Sequence, residues 1–199
     1  ASTEYLQSLR DIADEFNTLL IFDEVQCGMG RSGKLFAYET ANVAPDIMGL
    51  AKGIGGGFPV GAVLATEKAA SGMVPGTHGS TYGGNPLAMA AANAVLDVML
   101  EKDFLASVVK KGTKLKNDLV SLVEKHSAVL ESVRGVGLML GIKSVGPNLE
   151  LMAALRENKL LTVVAGENVV RVLPPLNVSE EEISEAVQKI DQTCSQVSS

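Results

Sequence analysis

Cysteine and histidine are scarce in this chain. Two cysteines, Cys27 and Cys194, stand far apart without a CxxC or His/Cys spacing. That excludes a disulfide framework and makes reduced thiols in a reducing compartment the simple reading. The two histidines, His78 and His126, are too few and too scattered for a metal cluster, so no metal site is expected. His126 closes an amphipathic helical pattern and reads as a surface or helix-end residue. Excess positive charge is absent too: 17 basic residues face 23 acidic ones, net charge −6, with the signs interspersed. Nucleic acid is therefore excluded as a partner. No apolar run approaches the roughly 20 residues of a membrane helix, and the opening ASTEYLQSLRD has neither the basic nor the apolar region of a secretory signal. A soluble, cytoplasmic protein without membrane contact is expected.

What is present is an alternation of apolar patterns. At 199 residues and 46% hydrophobic, the chain can bury one substantial core or two small ones. Leu6, Leu9, Ile12, Ala13 and Phe16 recur at helical spacing, and TLLIF at 18–22 suits a buried parallel strand. DIMGLA (46–51) and VGAVLATE (60–67) are further strands, which implies a βα architecture. From Asn85 a helix carries Leu87, Ala91, Val95, Val98 and Met99 on one stripe; Asp103 is the candidate N-cap of a second long helix. AVLESV and VGLMLGIK follow as strands separated by Arg134-Gly135, then a helix near 148–158, then LLTVV and NVVRVLPPL. Ser179 and Glu182 form a capping box for a last helix bearing Ile183, Ala186, Val187, Ile190 and Cys194. The final SQVSS is polar enough to fray.

The chemistry gathers at strand ends. Asp23 and Lys52 each follow an apolar run, one strand–crossover–strand unit apart, so neighbouring strands can present both to one crevice. A buried carboxylate needs a partner, and a buried lysine tends to shed its proton. Pyridoxal phosphate makes those demands: the lysine forms the Schiff base, and the aspartate keeps the pyridine nitrogen protonated. An ordinary Asp–Lys ion pair is the competing account. The glycines of GIGGGFP fit neither a GxxxxGK[ST] loop nor a strand-to-helix GxGxxG, so they serve shape.

The segments LLIFDEVQCGMGRSGKLFAYE, PDIMGLAKGIGGGFPVGAVLATE and GTHGSTYGGNPLAMAAANAVLDVM stand in the order found in class III pyridoxal-phosphate-dependent aminotransferases, and NVVRVLPPL resembles that family's substrate-carboxylate strand. The chain resembles the family over its whole length. The resemblance implies an α/β fold: residues 1–100 as the C-terminal part of the fold-type I large domain that binds pyridoxal 5'-phosphate, with its linking helix, and residues 101–199 as a small α+β C-terminal domain.

By the same resemblance Lys52 is the Schiff-base lysine and Asp23 the partner of the pyridinium nitrogen. Val25 would press on one face of the ring and Gln26 would bond the phenolic oxygen. Thr81, in GSTYGGNP, would reach the cofactor phosphate of the opposite subunit of a homodimer, and Arg171 would pair with the substrate carboxylate. Arg31 and Arg134 receive no role. The implied reaction is ping-pong transamination between an amino acid and 2-oxoglutarate. Within the family the likeness favours members acting on N-acetylornithine in arginine biosynthesis, with ornithine and 4-aminobutyrate as alternative donors. Family members also carry a preceding half that supplies the phosphate loop and the ring-stacking aromatic. The polypeptide alone is therefore expected to be inactive and to bind the cofactor weakly or not at all. A non-catalytic module that keeps the fold for association is the other reading left open.

Overall fold

The computed structural model describes residues 1–197 and divides into two compact units, Ala1–Leu105 and Ala106–Ser199. In the first unit the chain opens with α1 (Thr3–Glu15), capped by Ser2, whose hydroxyl accepts from Tyr5 N–H at 3.2 Å. Strands β1 (Ile21–Asp23), β2 (Ile47–Leu50) and β3 (Ala62–Ala65) form a sheet in that order, β1 parallel to β2 and β3 antiparallel to it. The chemistry of the connections explains both directions. Residues 24–46 are long enough for a crossover, while residues 51–61 are too short for one, so β3 must return antiparallel. The crossover carries a 3₁₀ turn at Ala37–Thr40.

A short α2 (Glu67–Ala70) and the long α3 (Pro86–Met99) complete this unit. Asn85 caps α3 through its side chain, accepting from Ala88 N–H at 2.9 Å. The expected apolar stripe of α3 is rotated: Ala88, Ala92 and Met99 are buried, while Leu87 is 66% exposed. The glycine loop passes close to this helix at Val95; a Cβ on Gly56 would lie 2.7 Å from Val95 Cγ2. The expected helical face of α1 is likewise only partly covered. Ala13 is buried with Leu20, Ala41 and Val43, but Ile12 and Phe16 remain 52% and 67% exposed. The run at 18–22 is less buried than expected as well: β1 begins only at Ile21, itself exposed.

Asp46 closes this part of the fold. Its Oδ2 accepts Leu20 N–H and Arg10 Nη1, both at 2.8 Å, and these bonds hold its carboxyl below the usual carboxylate range. The folded pKa is depressed, so the carboxylate stabilises the fold above the unfolded value and loses that contribution as pH falls through the folded one. Asp46→Ala should cost roughly 1–3 kcal/mol at neutral pH, because it strands the Leu20 donor. In urea unfolding the gap between the variant and the unaltered chain should narrow at about pH 3; a gap of constant size would sink this account.

The second unit holds α4 (Phe104–Lys125) and the antiparallel sheet β4-β5-β7-β6, with β4 Leu130–Val136, β5 Met139–Ser144, β6 Val163–Ala165 and β7 Val169–Val172. Helix α5 (Asn148–Glu157) lies between β5 and β6, and α6 (Glu180–Val197) closes the chain. Asp103 directly precedes α4 but with a left-handed φ of 68°, unlike the extended backbone of an ordinary N-cap. Arg134 and Gly135 do not separate the strands; they lie within β4, and Gly137-Leu138 makes the turn. The capping box is present in both halves: Ser179 N–H donates to Glu182 Oε2 at 2.8 Å and Glu182 N–H to Ser179 Oγ at 3.1 Å. The expected fraying of 195–199 does not reach Val197, which is helical; residues 198–199 lie outside the described part.

His126 directly follows α4, at the helix end as one of the two expectations had it, and is buried. Its Nε2 lies 2.5 Å from Asp191 Oδ1, and Lys125 Nζ lies 2.8 Å from Oδ2 of the same residue. Neither cysteine is in a disulfide, and burial pushes the Cys194 thiol up to about 11. No helix among the described residues is long and apolar enough to cross a membrane, and none of their His, Cys, Asp and Glu side chains form a group that could hold a metal ion.

Candidate active site

The pairing of β1 with β2 places the two central residues. Asp23 is the last residue of β1 and lies opposite Gly49; two residues beyond Gly49 the strand is over, and Lys52 follows. Both therefore stand at carboxyl ends of adjacent parallel strands, where ligands of open α/β sheets collect. Both side chains are exposed in this chain, against the expectation of burial. Asp23 Oδ1 accepts Val25 N–H at 3.0 Å, an Asx turn that aims the next residues across the strand end. Val25 and Gln26 are half-buried.

Lys52 opens a 3₁₀ turn, Lys52–Gly55, with φ of 47°. A non-glycine residue in that left-handed region is strained, and such strain concentrates at functional positions. The glycines after it fit the expectation of shape. A Cβ on Gly55 would meet Val60 Cγ1 at 2.7 Å, and Gly56 has φ of 56°.

Thr81 lies exposed in the loop before α3. That loop is wound on itself: Ser80 Oγ accepts Gly83 N–H at 2.9 Å, and Asn85 N–H reaches Tyr82 O at 3.3 Å. Asp23, Val25, Gln26, Lys52 and Thr81 all belong to the first unit, whereas Arg171 belongs to the second. There Arg171 sits half-buried on β7, an inner strand, and Nη2 donates to Val164 O at 3.4 Å. Register sets Arg134, Gly141, Arg171 and Val163 in one row across four strands, so both arginines share a sheet face with Gly141 between them. Arg134 pairs with Glu167 and holds that carboxyl below its usual range. Arg31 is half-buried.

Sequence reasoning passed over Glu24, which is buried and accepts the N–H groups of Ala37 and Tyr38. Only its place beside Asp23 hinted at it.

A lysine on a strained backbone and a carboxylate at neighbouring strand ends, with a glycine-lined turn beside them, are groups suited to pyridoxal phosphate. Residues 1–194 match the family model Aminotransferase class-III. The chain belongs to the class III aminotransferases, a pyridoxal-phosphate-dependent family of transferases with this α/β fold. It is 56% identical to acetylornithine aminotransferase 1 of Bradyrhizobium diazoefficiens over all of this chain and 49% of that protein. Among solved structures, an acetylornithine aminotransferase from Elizabethkingia anophelis aligns with TM-score 0.90 and 37% identity, over 98% of this chain and 52% of that one. An ornithine aminotransferase from Plasmodium yoelii aligns with TM-score 0.91 and 35% identity, over 98% and 52%. The chain thus spans about half the length of the relatives it matches.

Proposed function

We propose that this chain forms the lysine-bearing half of an aminotransferase that moves an amino group from N-acetylornithine to 2-oxoglutarate in arginine biosynthesis. The observation that carries the reading is the β1–β2 pairing, which sets Asp23 and Lys52 at neighbouring strand ends. The acetylornithine aminotransferases among the relatives support the donor, and the likeness to an ornithine aminotransferase supports the same chemistry on a related amine. Ornithine or 4-aminobutyrate is the alternative donor.

When bound, pyridoxal phosphate supplies an electron sink for the charge left on a substrate carbon that has given up its proton. Asp23 stabilises the protonated pyridine nitrogen by its charge. Val25 would bear on the cofactor ring and Gln26 would bond its phenolic oxygen. Lys52 would hold the cofactor through its amine and, once freed, would carry the proton away from the substrate carbon. Arg171 offers a planar bidentate fork to a substrate carboxylate. Thr81 serves the phosphate across a homodimer. Residues 1–100 act as the later part of the cofactor domain and residues 101–199 as the small domain, in a cytoplasmic enzyme.

The test joins the first half of the Bradyrhizobium diazoefficiens protein ahead of residue 1. The joined protein should take up pyridoxal phosphate, show a visible absorption band and, after borohydride, carry a reduced adduct at Lys52. The 199-residue chain alone should show no specific band. An adduct spread over other lysines of the joined protein would overturn the reading.

A further inference from the structure

Glu24 stands between Asp23 and Val25 and has no role in the reading above. It is 3% exposed and bonded at each of its polar points. Its carboxylate accepts Ala37 N–H at Oε2 (2.6 Å) and Tyr38 N–H at Oε1 (2.8 Å), the first two donors of the 3₁₀ turn Ala37–Thr40. Its own N–H donates to Gly49 O at 3.0 Å, carrying the β1–β2 ladder one residue past Asp23. Its carbonyl accepts Gly28 N–H at 3.0 Å and so closes the turn that contains Val25 and Gln26. The packing there leaves no slack: a Cβ on Gly28 would sit 2.8 Å from Glu24 O and 3.0 Å from Oε2.

We propose that Glu24 is a positioning residue for the cofactor end of β1. It fixes the aim of the Asp23 carboxylate, and of Val25 and Gln26, by tying their turn to residues 37–38 and to β2. The inference rests on the roles assigned to Asp23, Val25 and Gln26. A carboxylate is required because both facing groups are donors. A glutamine would turn an NH₂ toward one of them, and an aspartate falls one methylene short. The anion also lies at the N–H end of a helical turn, where negative charge is favoured.

The reporter is the Val25 amide, which donates to Asp23 Oδ1 at 3.0 Å. In the ¹⁵N-labelled chain, Glu24→Gln should shift the Val25 resonance and speed hydrogen exchange at Val25, Gly28, Ala37 and Tyr38 by at least about tenfold, with the amides of β2 and β5 unchanged. Ala13→Gly, which loosens buried α1 packing elsewhere in the same unit, serves as the control and should leave Val25 in place. Should Glu24→Gln fail to fold, Ala37→Pro removes a single donor. Phe36 before it is already extended (φ −121°, ψ 143°), as a residue preceding proline must be. That variant should move Val25 in the same direction by less. A Val25 resonance that stays put, or that moves as far in the control, would reduce Glu24 to a plain structural anchor and overturn the proposal. Neither signal involves the cofactor, so failure of the aminotransferase reading shows separately, in the Lys52 adduct of the joined protein.

Discussion

Lys52→Gly should make the chain more stable while removing its chemistry. The backbone at Lys52 has φ of 47°, a conformation that costs an L side chain roughly 1–2 kcal/mol and glycine nothing. Against that relief stands the freer unfolded chain of a glycine, about 0.4–1 kcal/mol. The net is a gain of roughly 0–1.6 kcal/mol, about 0.8 at the midpoint. The side chain adds little to offset it, since Lys52 is exposed and its amine makes no hydrogen bond or ion pair among the described residues. A lysine kept where glycine is easier is kept for its amine. In the joined protein, Lys52→Gly and Lys52→Ala should lose the reducible adduct entirely and slow transamination by about 10,000-fold, because one group is both attachment point and proton carrier. Lys52→Arg is the sharper variant. It keeps the positive charge but holds its proton at any working pH, so it should be as inactive as alanine if nucleophilicity is what matters. Activity within tenfold of the unaltered protein in the arginine variant would mean that Lys52 contributes charge alone.

The sequence announced those features that depend on neighbours in the chain. Asn85 and the Ser179/Glu182 pair act on residues three positions away, so their caps could be read from residue type and spacing, and both form. The strand ends at Asp23 and Lys52 were legible for a similar reason: each closes a short apolar run. Features that depend on distant segments were not. The burial of Glu24 comes with bonds from Ala37 and Tyr38, thirteen and fourteen residues on, and in DEVQ only its place beside Asp23 hinted at it. The burial of His126 follows from Asp191, 65 residues away. The exposure of Asp23 and Lys52 has another origin. Burial was inferred from what the chemistry requires, and a chain spanning about half the length of its relatives need not supply that cover by itself.

Gly112→Ala should be among the most damaging single substitutions in the second unit, although alanine is the better helix former. Within a helix the exchange normally gains close to 1 kcal/mol. Here α4 passes against the β4–β5 turn, and a Cβ on Gly112 would lie 2.4 Å from Gly137 O, 2.5 Å from its carbonyl carbon and 2.7 Å from its Cα. These are backbone atoms, so no rotamer change relieves them. The turn itself is pinned: Gly137 is left-handed at φ 56°, and the adjoining Leu138 is completely buried. Either α4 or the hairpin must move, which pulls Leu115 or Leu138 from the core. Overpacking of this kind costs roughly 1–3 kcal/mol and exceeds the propensity gain. A urea midpoint lower by about 1 M is expected at an ordinary slope for a domain of this size. Gly146→Ala is the matched control, because its Cβ would meet nothing within 4 Å; it should stay within about 0.5 kcal/mol of the unaltered chain. If Gly112→Ala instead stabilises the unit, helix propensity governs this site and the close approach of α4 to the turn is not what holds the hairpin in place.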